Sequence, residues 1–285
     1  MPLSVQLGLL MAFVTALMSV IGFFLKYRGA VAAPAVVWRR PVASTIALFR
    51  SPVYTIGCVV ATTSWGFHVA ALALAPISLV QSVIAGGLVL VTVVGSRLFG
   101  EDVTRREWIG VALTAAGLAF LAATLEGTGD SAHASYDGWA LGLYVGLATF
   151  AGLGLVVARG GSGLALAISA GLLWAGSDIT IKALSGKTDA LGLAVIVHPF
   201  AFVILILSLV GLLVSARSLQ IGPVVPVIAF TSTTANVLTI AAGPVVFGEP
   251  LPDEPLGLAL RLAAFALVIC AAALTPPPMR TPAPA

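Results

Sequence analysis

Charge is what this chain has least of. Only 9% of its 285 residues are Asp, Glu, Lys or Arg, against roughly 25% in soluble globular domains. That shortage argues against a water-facing surface over most of the chain. Histidine is almost as scarce, and His68, His133 and His198 lie too far apart to argue a Ser/His/Asp arrangement. No His/Cys/Asp cluster has zinc-like spacing. No Gly-Lys-Ser/Thr phosphate loop occurs, so nothing here points to nucleotide hydrolysis, and "GGSG" at Gly160 to Gly163 is a lone glycine turn. The two cysteines, Cys58 and Cys270, fall in apolar segments. There a thiol behaves as a small apolar group and reports no redox compartment. No enzymatic activity, resident metal or cofactor is expected. A net charge of +3 does not by itself imply a nucleic-acid partner.

What the chain has is apolar length. It is 59% hydrophobic with a mean hydropathy of +1.10. Runs of ~20 apolar residues recur, each long enough to cross ~30 Å of hydrocarbon. The short alternating segments of a β-barrel do not appear. The fold class expected is therefore all-α integral membrane. Nine spans are predicted, at roughly 4–25, 53–74, 77–98, 107–125, 138–157, 163–184, 192–215, 223–247 and 257–275. Met1 to Gln6 lacks a basic n-region and span 1 exceeds an h-region, so span 1 is expected to stay in the protein. The tail "PPPMRTPAPA" is Pro-rich and expected to be disordered.

Basic residues gather in loops that remain cytoplasmic. With nine spans, one side of the membrane holds Lys26, Arg28, Arg39, Arg40, Arg50, Arg97, Arg105, Arg106, Arg159, Arg217 and Arg280, eleven of the fourteen bases. The opposite loops are acidic: Glu126, Asp130, Asp137, Asp189, Glu249, Asp253 and Glu254. The reading is an N-terminus outside and a C-terminus in the cytoplasm, in a plasma or inner membrane.

Three landmarks recur in order. "LKYRG" ends span 1 and "IKALSG" ends span 6. "LALAPISLV" opens span 3 and "LQIGPVVPV" opens span 8. "RLFGEDVTRREWIG" and "VVFGEPLPDEPLG" lead into spans 4 and 9. The first Phe-Gly-Glu loop is rich in arginine and the second is acidic. A single helix between two four-span units reverses the second unit, so the positive-inside rule acts on oppositely oriented copies. Phe-Gly-Glu can also be a simple turn, with Gly as a helix stop. The expected organisation is a first repeat at 1–125 with a basic cytoplasmic loop at 26–52, an external acidic loop and linker helix at 126–162, an inverted second repeat at 163–275, and a tail at 276–285. Inverted repeats mark secondary transporters, whose sites lie near the midplane.

The stretches "ALALAPISLVQSVIAGGLVL", "GEDVTRREWIGVALTAAGLAFL", "GPVVPVIAF" and "GEPLPDEPLGLAL" resemble the drug/metabolite transporter superfamily of EamA-like proteins, over most of the chain. The resemblance implies two inverted halves around a central cavity. Family members commonly have ten spans, and nine resembles the NIPA-like magnesium transporter branch, as do "FHVAALALAP" and "GFFLKYRG". Small multidrug members carry a proton-coupling glutamate two turns before a lysine. Here Trp174 precedes Lys182 and Met18 precedes Lys26 at that spacing. That coupling carboxylate is absent at both positions.

Ionisable and amide groups inside apolar spans are functional candidates. Asp178 shares a helical face with Trp174 and Lys182, and Asp178–Lys182 reads either as a local i,i+4 pair or as part of a cavity wall. His198 precedes Pro199 within span 7, where the proline is expected to disrupt the helix. His68 reads as an interfacial histidine bonded to backbone. Span 8 carries Thr231, Thr233, Thr234 and Asn236, and the Asn236 amide needs a partner helix or water. Gln81 reads similarly. Arg261 reads as a snorkelling base, and Trp65 and Trp174 as stacking or packing residues. The expected substrate-binding set is Asp178, Lys182, His198, Asn236, Trp174, Gln81 and Thr233. The leading expectation is a transporter of a small metabolite or drug-like solute. A magnesium or divalent-cation pathway and a non-transporting scaffold or lipid-flippase accessory stand beside it. The partners expected are the solute or ion and the lipid bilayer.

Overall fold

The computed structural model describes residues 3–87, 89–98, 104–106, 108–110, 112–113, 116–117, 135–250, 254–260 and 262–264. Helices dominate the described residues. They are α1 Leu3–Ala32, α2 Pro41–Phe49, α3 Pro52–Leu74, α4 Ile77–Gly86, α5 Val89–Leu98, α6 Gly138–Arg159, α7 Gly163–Ser185, α8 Pro199–Ile221 and α9 Val224–Val246. Six of these, α1, α3, α6, α7, α8 and α9, are long and apolar enough to cross a membrane.

Local chemistry sets the helix starts. Ser51 Oγ accepts the Tyr54 N–H and Pro52 fills the first turn of α3, where its missing N–H costs nothing. Asp137 caps α6 and Ser162 caps α7 through bonds from Ala140 N and Ala165 N. The glycine-rich 138–157 segment is helical, as expected. Residues 107–125 and 257–275 lie largely outside the described residues, as do His133, Arg261, Cys270 and the tail.

Three expectations are corrected. The span at 77–98 is two ten-residue helices parted at Gly87. A Cβ there would sit 2.5 Å from Ala16 Cβ, so glycine lets α1 approach and leaves the helix weak at that point. The span at 192–215 starts late, because Gly192–Val197 is a 3₁₀ turn and the helix begins at Pro199. Proline at N1 opens that helix rather than disrupting it. Finally α1 runs past Leu25 to Ala32, which draws Lys26 out of the loop and into the bundle.

Packing is built from antiparallel neighbours. α1 lies along α3, α7 along α8, and α9 bridges α7 and α4, with α6 on the outside of α7. Among apolar lipid tails the hydrophobic effect gives helices little mutual attraction, so small residues and hydrogen bonds hold them. Both long hairpins follow this rule. Ser19 and Ser64 share a 2.8 Å hydroxyl bond between α1 and α3, and Ser177 and Ser208 a 3.0 Å bond between α7 and α8. Such bonds are worth ~1 kcal/mol in a bilayer. The outward faces are apolar. On α6 they include Trp139, Leu143, Leu147 and Leu153, with Phe150 83% and Val157 88% exposed. Contiguous apolar surface of this kind is a liability in water and is solvated by hydrocarbon. The chain is an integral membrane protein.

Candidate functional site

Trp174, Asp178 and Lys182 share one face of α7, as the sequence spacing predicts. Four residues apart, the three stack at about 6 Å intervals. The structure gives each a different partner.

Asp178 meets two other helices. His68 Nε2 of α3 lies 3.1 Å from Asp178 Oδ1, an ion-pair distance without hydrogen-bond alignment. Gln81 Nε2 of α4 donates to Asp178 Oδ2 at 3.5 Å. The Asp178 side chain keeps 18% exposure where that of His68 keeps 8%. A carboxylate, an imidazole and an amide thus converge from three helices inside an apolar bundle. His68 is a partner of Asp178 rather than an interfacial group bonded to backbone.

Lys182 does not pair with Asp178. Its Nζ donates to the carbonyl oxygens of Leu72 and Ala75 at 2.7 and 2.8 Å. These carbonyls lie at the C-terminal end of α3, where the helix dipole favours a cation. Glu249 adds a favourable charge to Lys182. Its Oε1 accepts the Ile77 N–H at the start of α4, 2.8 Å away, and a helix N-terminus favours an anion. Lys182 and Glu249 therefore bracket the Ala75–Pro76 break with the charges each helix end prefers. Gly248, at φ +64°, turns the chain after α9 and delivers Glu249. The Phe-Gly-Glu glycine is a helix stop here, while the first copy lies outside the described residues.

Trp174 packs edge-on against Phe23 of α1, centroids 5.6 Å apart. Gly211 of α8 makes room for it, since a Cβ there would fall 2.6 Å from Trp174 Nε1. The Lys26 Nζ lies 4.3 Å from the Phe23 ring centroid and 5.3 Å from that of Trp174. Beside these rings is a cavity of about 30 Å³, room for one or two water molecules. Its wall includes Ser19, Phe23, Ile84, Gly87, Val91 and Ser232.

Asn236 is buried one turn beyond Ser232 on the same face of α9. Among the described residues its amide has no hydrogen-bond partner. The buried hydroxyls of Thr231 and Thr233 also lack one among the described residues. Thr239, by contrast, bonds its own helix at Ala235 O. His198 stands apart from the group. Its Nδ1 caps α8 by accepting the Phe200 N–H at 3.2 Å. So Asp178 and Gln81 come together, Trp174 lies a turn away, Asn236 and Thr233 lie on α9, and Lys182 and His198 hold helix ends.

Sequence reading placed Lys26 in a loop. The signal that could have recovered it is its match to Lys182 in the aligned "LKYRG" and "IKALSG" landmarks. Comparison with family models, curated proteins and solved structures gave no match to this chain.

Proposed function

We propose that this protein is a secondary transporter that moves a small organic solute by alternating access, of the drug/metabolite transporter kind. Two inverted four-span repeats around α6, nine spans in all, with the N-terminus outside, complete the reading. The observation that carries it is the Asp178–His68–Gln81 cluster. Polar groups in apolar spans persist when they pair or face water, and here three helices each contribute one. The buried threonines and Asn236 add hydrogen-bonding capacity on α9. The matched landmarks and the serine-linked hairpins α1–α3 and α7–α8 support the repeat.

A divalent-cation pathway draws less support. Such ions take several oxygen ligands, and among the described residues the Asp178 cluster offers one carboxylate with an imidazole beside it. A scaffold has no use for an acid held in the bundle.

Reconstitution into proteoliposomes, with a solute panel and with or without a pH gradient, tests the function. Asp178→Asn should insert normally and abolish or uncouple uptake, and unimpaired uptake removes Asp178 from the site. Orientation is tested separately, with Cys58 and Cys270 replaced. A cysteine at Ala43 should label only from the cytoplasm and one at Thr188 only from outside. Labelling of both from one side sinks the inverted topology.

A further inference from the structure

Lys26 is 4% exposed, at the level of the Phe23–Trp174 pair and well inside α1. Gly57 of α3 presses against its backbone and stem, where a Cβ would meet Lys26 N at 2.7 Å. The ammonium meets two aromatic faces. Among the described residues no carboxylate and no carbonyl oxygen reaches it. Lys182 shows what this protein does when a buried lysine serves the fold, giving it two carbonyls and a neighbouring acid. Aromatic faces attract a cation but replace only part of its lost hydration. A buried ammonium left in that state is a place for an anion.

We propose that Lys26 is the charge anchor of the transport site and that the solute is an organic monocarboxylate with an apolar body. The carboxylate would pair with the Lys26 ammonium. The body would lie against Phe23 and Trp174 and along the wall formed by Ile84 and Val91, with Ser19 and Ser232 supplying hydroxyls. A lone ammonium suits a single negative charge better than a phosphate dianion. The small cavity beside Phe23, which Lys26 and Trp174 do not line, is then a closed form of the site that must widen to reach the Lys26 ammonium. This deepens the transporter reading and rests on it for its role. The binding step can be read without transport.

The test uses full-length protein in detergent in which Trp174 is the sole tryptophan, with Trp38, Trp65, Trp108 and Trp139 changed to Phe. Benzoate is titrated against Trp174 emission, with benzamide as its neutral counterpart. The expected result is a saturable change with benzoate, at least about tenfold weaker binding of benzamide, and loss of the response in Lys26→Met. Lys26→Gln serves as a second variant. The absence of a saturable benzoate response, an equal response to benzamide, or an unchanged response in the Lys26 variants overturns the proposal. So does unfolding of both variants, which would make Lys26 a structural residue. Benzoate binding without uptake in proteoliposomes would sink the transporter reading and leave the anion site standing. Uptake of neutral solutes that ignores Lys26 would do the reverse.

Discussion

Lys26 in α1 and Lys182 in α7 are two ammonium groups buried in the same apolar bundle, and the molecule treats them oppositely. Lys182 is fully buried and fixed by the ends of two helices, with carbonyls from α3 and the charge of Glu249 around it. Lys26 has two aromatic faces. In the proposed repeat the two would be counterparts. Burial alone therefore does not tell a lysine fixed by oxygens from one without them. The inventory of oxygens within reach does.

Substituting the two lysines should break the symmetry most visibly. Lys182→Met leaves two carbonyls and Glu249 without their cation, and removing one partner of a buried charged network costs about 3–5 kcal/mol. Lys26→Met removes an unpaired buried charge, so stability is expected to hold or rise by about 1 kcal/mol. Thermal unfolding in one detergent reads both, and equal destabilisation would erase the distinction between the two sites.

Gly29→Ala sharpens the comparison from the side of the α1–α3 contact that holds Lys26 in place. An added Cβ would collide with the Tyr54 backbone, so the helices must part, at about 1–3 kcal/mol. A measured cost near zero would show that α1 and α3 do not approach as closely as described.

Gly248→Ala probes the other bracket, since Glu249 reaches α4 only through the left-handed turn. The expected loss is about 1–2 kcal/mol. It should largely vanish in a Lys182→Met background if both act through the Ala75–Pro76 break, and full additivity in the double-mutant cycle would separate them.

The smallest effect is expected at α2. α2 exposes Val42 and Ile46, next to Arg39 and Arg40, which suits a helix lying on an anionic leaflet at ~1 kcal/mol per base. Arg39→Gln with Arg40→Gln should weaken association with anionic nanodiscs and leave insertion intact. Unchanged lipid association removes the electrostatic role.

The helical class and most of the long apolar helices could be read directly, because runs of apolar residues act within one segment. The sites were less legible. The i,i+4 spacing of Asp178 and Lys182 allowed a local pair or a cavity wall, and the pair does not form. Spacing says which groups lie near each other along one helix and nothing about competing partners on another. His68 and Gln81 reach Asp178 from α3 and α4, and the α3 carbonyls take Lys182. His198 shows the opposite failure, where a proline read as a disruption proved to be a helix start.

By itself, then, the sequence determined an apolar helical chain for a membrane and the polar residues that hydrocarbon would not tolerate alone. Only the tertiary structure decided which of those residues satisfy one another. Hydropathy is summed along one segment. A buried charge is settled by the few oxygens within about 3 Å of it, and for Asp178 and Lys182 the decisive groups come from helices a hundred residues away along the chain.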